Sequence, residues 1–165
     1  MASVVVFLNA IHEADLAIFM RESAWAFPTA ESIHVIAISL VVGLIAVVDL
    51  RLLGLASVEH AVTKLTNDIL PWTWGAFCVA VLSGVAMFIS QPVLYFENTA
   101  FRVKAVLLLL AGCNMLYFHL VTFRGIAGWD GSKSPPLAAK FAGGASLTFW
   151  VATVLLGRQI GFTMY

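Results

Sequence analysis

ESIHVIAISLVVGLIAVVDLRLLG, residues 31–54, is the stretch whose reading decides the rest of the chain. It is long enough to cross a bilayer as a helix, because about 20 residues rising ~1.5 Å each span a hydrocarbon layer of ~30 Å. Yet it carries His34 near its start and Asp49 and Arg51 near its end. Ionisable groups at that depth cost roughly 2.5–3.5 kcal/mol each on insertion scales, so they face a bundle interior, a partner or a bound group. The stretch predicts a membrane-spanning helix and names the residues from which a function has to be built.

Composition extends that reading to the whole chain. Of 165 residues, 61% are hydrophobic and 11% charged, with no net charge, and the mean hydropathy is +0.96; soluble domains carry about 25% charged residues. The fold class expected is an all-α integral membrane four-helix bundle with an N-terminal interfacial helix, in a single domain. With no basic run, nucleic-acid binding is excluded. Cys78 and Cys113 lie inside predicted spans, outside any CxxC or CxxCH setting, and read as small buried hydrophobes. His12, Glu13 and Asp15 interrupt the N-terminal apolar run, so no cleaved signal peptide is expected.

Residues 3–22 place Val5, Leu8, His12, Leu16 and Phe19 on one helical face, the pattern of a helix lying in the interface. Trp25 and Phe27 sit at headgroup depth, Pro28 opens the first span, and Glu31 falls in its first turn. The spans expected are about 30–55, 70–91, 101–123 and 137–162. A polar segment at 57–68 has room for a short helix carrying His60, and Pro71, Trp72 and Trp74 mark the next interface. Glycines, prolines and Trp129 make 125–136 a loop. Gly157 and Gly161 form a GxxxG, a signal for helix association and a homo-oligomer. Four spans put both termini on one side, and the slight Lys and Arg excess in the two loops predicts that side to be periplasmic.

Depth groups the polar residues. His34 and Asp49 are fifteen positions apart, as are Lys104 and His119, which separates each pair by about 22 Å along its helix and leaves it facing roughly one way. A terminal-side layer contains Glu31, His34, Lys104 and Arg158 with Met87; a loop-side layer contains Asp49, Arg51 and His119 with Trp72, Asn114 and His60. A b-type cytochrome needs imidazoles on facing helices at one depth, small residues where the macrocycle approaches, and cations for its propionates. His12 and His34 could serve one layer and His60 and His119 the other, with Met87 a second partner for His34. Gly43, Gly84, Gly143 and Gly144 would make room, and Arg51, Lys104, Arg124 or Arg158 would pair with propionates. Simpler readings stand beside these: a helix-end ion pair for Asp49 and Arg51, snorkelling for Lys104 and Arg158, packing for Met87, and solvated interfacial positions for His12 and His60.

Taken together, Glu31-x-x-His34, Asp49-Leu50-Arg51-Leu52-Leu53-Gly54, Pro71-Trp72, Phe101-x-x-Lys104, Phe118-His119, Trp129-Asp130 and Gly157-Arg158 resemble an uncharacterised family of small bacterial four-helix membrane proteins. The resemblance runs from Trp25 onward and is most specific at DLRLLG. It implies a bacterial inner-membrane, multi-pass location, with functional weight on His34 and His119. More loosely, the layout is similar to small haem-bearing membrane anchors of respiratory dehydrogenases and to four-helix copper-resistance membrane proteins.

The expected function is therefore electron transfer by a haem b protein, with His34 and His119 as metal ligands, exchanging electrons between quinol and a partner redox protein in the lipid bilayer. A quinone ring would suit Trp72, Trp74 and Trp129, which interfacial anchoring explains equally well. The rivals are a small proton or metal-ion channel or transporter subunit, and an accessory membrane subunit of a larger complex. No nucleophile and base pair, phosphate loop or HExxH motif is present, which disfavours hydrolytic or phosphoryl-transfer enzymes.

Overall fold

The computed structural model describes residues 2–164. Among them every regular element is helical: α1 Ala2–His12, α2 Asp15–Glu22, α3 Ala26–Leu53, α4 Val62–Ser90, α5 Pro92–Glu97, α6 Thr99–Tyr117 and α7 Leu137–Thr163. α6 continues through a π-helical turn, Phe118–Thr122, and a 3₁₀ stretch, Phe123–Gly128. Four of these helices, counting α6 with its continuation, are long and apolar enough to cross a membrane. Leu82, Leu109 and Phe141 are apolar and exposed, as side chains are where lipid rather than water surrounds a bundle.

Local signals set the helix ends. α3 stops at Gly54, which takes a left-handed φ of 75° while its amide bonds the carbonyl of Arg51 and that of Leu55 bonds Leu50. A side chain at residue 54 would also press on the Lys133 carbonyl. α6 starts at Asn98, whose Oδ1 accepts the amide of Phe101 at 3.0 Å.

Several expectations shift. The polar segment at 57–68 does not stand apart from the second span, because α4 runs unbroken from Val62 through Pro71. α3 begins at Ala26, so Glu31 lies past its first turn. Residues 3–22 form two helices bent by 60°, not one. Arg21 explains the bend, since its guanidinium donates to the carbonyl of His12 at 2.9 Å and to that of Ser90 at 2.8 Å. One side chain thus caps the C-terminal ends of α1 and α4 and ties the elbow to the bundle. Cys78 and Cys113 are exposed rather than buried.

The spans form an arc. α3 packs on α4 and α7, and α7 packs on α6, but α4 and α6 make no comparable contact. The seam between α3 and α7 is tight at Gly143, where a Cβ would come within 2.9 Å of the Asp49 carbonyl. One apolar core of Leu52, Val62, Phe118, Ala139 and Ala142 closes the loop end, and a second, Val41, Ala111 and Trp150, fills the middle.

Candidate functional site

The loop end is built around Arg51, whose residue is fully buried. Its Nε donates to the His60 carbonyl at 2.8 Å, and its Nη2 donates to the carbonyls of Asp130 and Ser132 at 3.1 and 3.0 Å. A planar guanidinium can hold diverging acceptors in this way, which a single ammonium cannot. Asp130 completes the latch from the far loop: its carboxylate accepts the amide and hydroxyl of Thr63 at 2.8 and 2.6 Å, capping the start of α4 from outside the helix. Burial alone would raise the Asp130 carboxyl, but these two bonds, the Val62 amide and the nearby Arg51 cation outweigh it and hold it below the usual carboxylate range.

Asp49 does not pair with Arg51, contrary to the ion pair expected of them. Two positions along a helix turn a side chain by ~200°, so the two residues point apart. The one ion pair among the described residues joins Lys133 to Glu59 at 2.9 Å. Asp49 is 5% exposed. Ser146 of α7 is its carboxyl's polar neighbour, and its Oδ2 has no hydrogen-bond partner among the described residues.

Asp49 lines a cavity of about 260 Å³ between α3, α4, α6 and α7, with Oδ2 itself tucked out of reach of a water-sized molecule. The wall is apolar and aromatic, with Trp74, Phe77 and Trp150 on it and Phe77 edge-on to Trp150 at 6.4 Å. Its polar members are Asp49, Thr66, Thr73, Asn114, Ser146 and His119. Thr73 bonds the Ile69 carbonyl and Asn114 the Ala142 carbonyl, so both are satisfied. The Thr66 hydroxyl, like Asp49 Oδ2, is buried with no partner among the described residues. Each such buried, unpaired oxygen carries a desolvation cost of about 1–3 kcal/mol, which a donor would remove only after the side chain turned toward the cavity.

His119 sits in the π-helical turn, half-buried, stacked on Phe123 at 5.6 Å and edge-on to Phe118. Its Nδ1 lies 2.9 Å from the Met115 carbonyl. A carbonyl only accepts, so Nδ1 carries the proton and the neutral ring keeps an open lone pair on Nε2. π-turns of this kind recur at functional sites because the extra residue re-aims a side chain.

His34 has the same chemistry at the other end. Its Nδ1 donates to the Ala80 carbonyl at 2.8 Å, with Ser83 Oγ at 3.2 Å. The ring fills the space over Gly84, where a Cβ would lie 3.0 Å from its Cε1. The Lys104 ammonium, at the same end of the bundle, packs over Gly157.

The remaining candidates are not drawn into either site. His12 faces Arg21, whose Nη1 lies 3.3 Å from its Nδ1. His60 is exposed and gives the interior only its carbonyl. What reaches His34 from α4 is Ala80, Ser83 and Gly84, three to seven residues before Met87. Arg158 is exposed, with its guanidinium over the Phe162 ring at 4.6 Å. Trp72 points outward, and Trp129 packs in the loop-end core. The glycine room expected for a macrocycle at Gly84 and Gly143 is taken by His34 and by the α3 backbone. Thr66, Ser146 and Trp150 were missed from sequence; a tryptophan in the middle of a span, far from either interface, was the available signal.

No group of three or more His, Cys, Asp or Glu placed to hold a metal ion exists among the described residues. No curated protein and no solved structure matches the chain. The model of the Family of unknown function (DUF6644) matches residues 22–163, nearly the whole chain, and the protein belongs to that family.

Proposed function

We propose that the protein is a membrane electron-transfer protein that takes its electrons from a quinol held in the loop-side cavity and passes them to a partner redox protein. The observation that carries this reading is the pairing of a carboxyl and an imidazole, those of Asp49 and His119, among the residues lining one apolar, aromatic-walled cavity. A quinol is a flat ring bearing two hydroxyl donors, which suits such a wall. Its oxidation to quinone releases two protons and two electrons. Nε2 of His119 accepts one proton and the Asp49 carboxylate the other, while the electrons leave one at a time to a haem or iron–sulfur centre on the partner. Trp74 and Trp150 line the site, so saturable quenching of tryptophan emission by quinol in nanodiscs, abolished in His119→Leu, supports the reading. Linear quenching identical in both proteins overturns it.

Haem b held by this chain is the second reading. It is favoured by the two imidazoles inside the spans, each fixed through Nδ1 to a main-chain carbonyl and open at Nε2, the arrangement that orients histidine ligands. On this reading His34 or His119 would ligate the iron, and the group would supply one-electron chemistry. A Soret band that survives gentle purification and weakens in His34→Ala or His119→Ala separates it from the first; colourless protein counts against it.

A further inference from the structure

We infer that the ligand of this cavity carries a long apolar tail and enters sideways from the bilayer, through the slot between α4 and α6. The inference rests on the quinol reading and adds to it the route of entry and the class of quinol. Each neighbouring pair in the arc of spans is packed except α4 and α6. Where those two helices face each other, Trp74 on α4 and Gly112 and Met115 on α6 line the cavity and are also exposed on the outer surface. Residues that belong to both surfaces mark a mouth.

The mouth lies at mid-depth. On the terminal side the slot is shut by Phe88 stacked on Phe101, ring centres 5.5 Å apart, with Tyr95 against both. On the loop side Phe118 and Val62 belong to the core that closes that end. An opening between them meets acyl chains rather than water, so what enters arrives dissolved in lipid. No charged residue stands at the mouth, while Asp49, Thr66 and His119 sit deeper toward the loop end. A ring would therefore go in with its hydroxyls leading, and a tail would lie across Gly112 into the bilayer. Gly112 leaves the space: nothing lies within 4 Å of where its Cβ would be, so a side chain can start from there without meeting a neighbour.

Gly112→Phe should thus obstruct the tail without disturbing the fold. Gly43→Phe is the control for added bulk, since Gly43 is equally open but does not line the cavity. Two benzoquinols that differ only in a long alkyl tail are titrated against nanodisc-embedded protein by tryptophan quenching. The expected result is a loss of about tenfold or more in affinity for the tailed quinol in Gly112→Phe, a clearly smaller loss for the tail-less one, and no change for either in Gly43→Phe. Equal effects on both quinols, or none on either, would overturn the side entrance while leaving quinol binding in place. Failure of the wild-type protein to bind either quinol would overturn both.

Discussion

Two residues of one motif, Asp49 and Arg51, show how strongly position along a helix divides roles. Arg51 spends its charge on three main-chain carbonyls of two loops, leaving only Nη1 without a partner. Its removal strands those carbonyls in a buried place, where each unpaired group costs about 1–3 kcal/mol. Arg51→Ala should therefore lower stability by about 3–5 kcal/mol in a chemical-denaturation series, and Arg51→Lys should recover less than half of it. Full recovery by lysine would mean that charge alone, and not the fork of donors, holds the loops. Asp49, facing the opposite way, binds nothing equivalent: it lines the cavity, and its Oδ2 is buried without a partner. The histidines divide similarly: His34 and His119 are held through one nitrogen and open at the other, whereas His12 and His60 serve the elbow and the loop.

At the scale of elements, the site exists because three helix seams are tight and one is open. The α3–α7 seam depends on Gly143, where even a methyl group would meet backbone. Gly143→Ala should cost about 1–3 kcal/mol by overpacking and should displace Asp49, because the atom it strikes is the Asp49 carbonyl; thermal unfolding combined with quinol titration would register both. A stable variant with unchanged binding would separate this seam from the site. The loop latch adds a pH dependence. Asp130 has a folded pKa held below its unfolded one, so its contribution is complete above the ordinary carboxylate value of about 3.9 and is lost as pH falls through the lower folded value. The melting-temperature advantage of wild type over Asp130→Asn should be constant from neutral pH down to about 5 and should shrink below about 4. An advantage that instead grew with acid would contradict the capping role.

For the whole molecule, the four spans were legible because length and hydropathy in a membrane leave the backbone little choice but helix. The depth layering was legible too, since helical rise converts sequence separation to distance. The boundaries at Val62 and at the π-turn were not, because Pro71 reads as an interface marker when it stands inside α4, and a single-residue π insertion leaves no sequence period. Nor could sequence give the order of packing. A four-helix bundle can close into a ring or stop at an arc, and here the tight α3–α7 approach at Gly143 and the open α4–α6 seam make it an arc. That is why Thr66, Ser146 and Trp150 are not legible as site residues, whereas the Asp49–Arg51 pairing fails on helix geometry alone, by the ~200° between positions two apart.

A buried carboxyl without a hydrogen-bond partner on one oxygen is a cost to the fold, retained where a ligand uses it. Asp49→Leu, of nearly equal volume, therefore tests the account most directly when stability and quinol affinity are measured on the same preparation. The account predicts a protein more stable by about 1–3 kcal/mol that binds quinol at least about tenfold more weakly. A variant that is less stable, or one that binds quinol as wild type does, would contradict it.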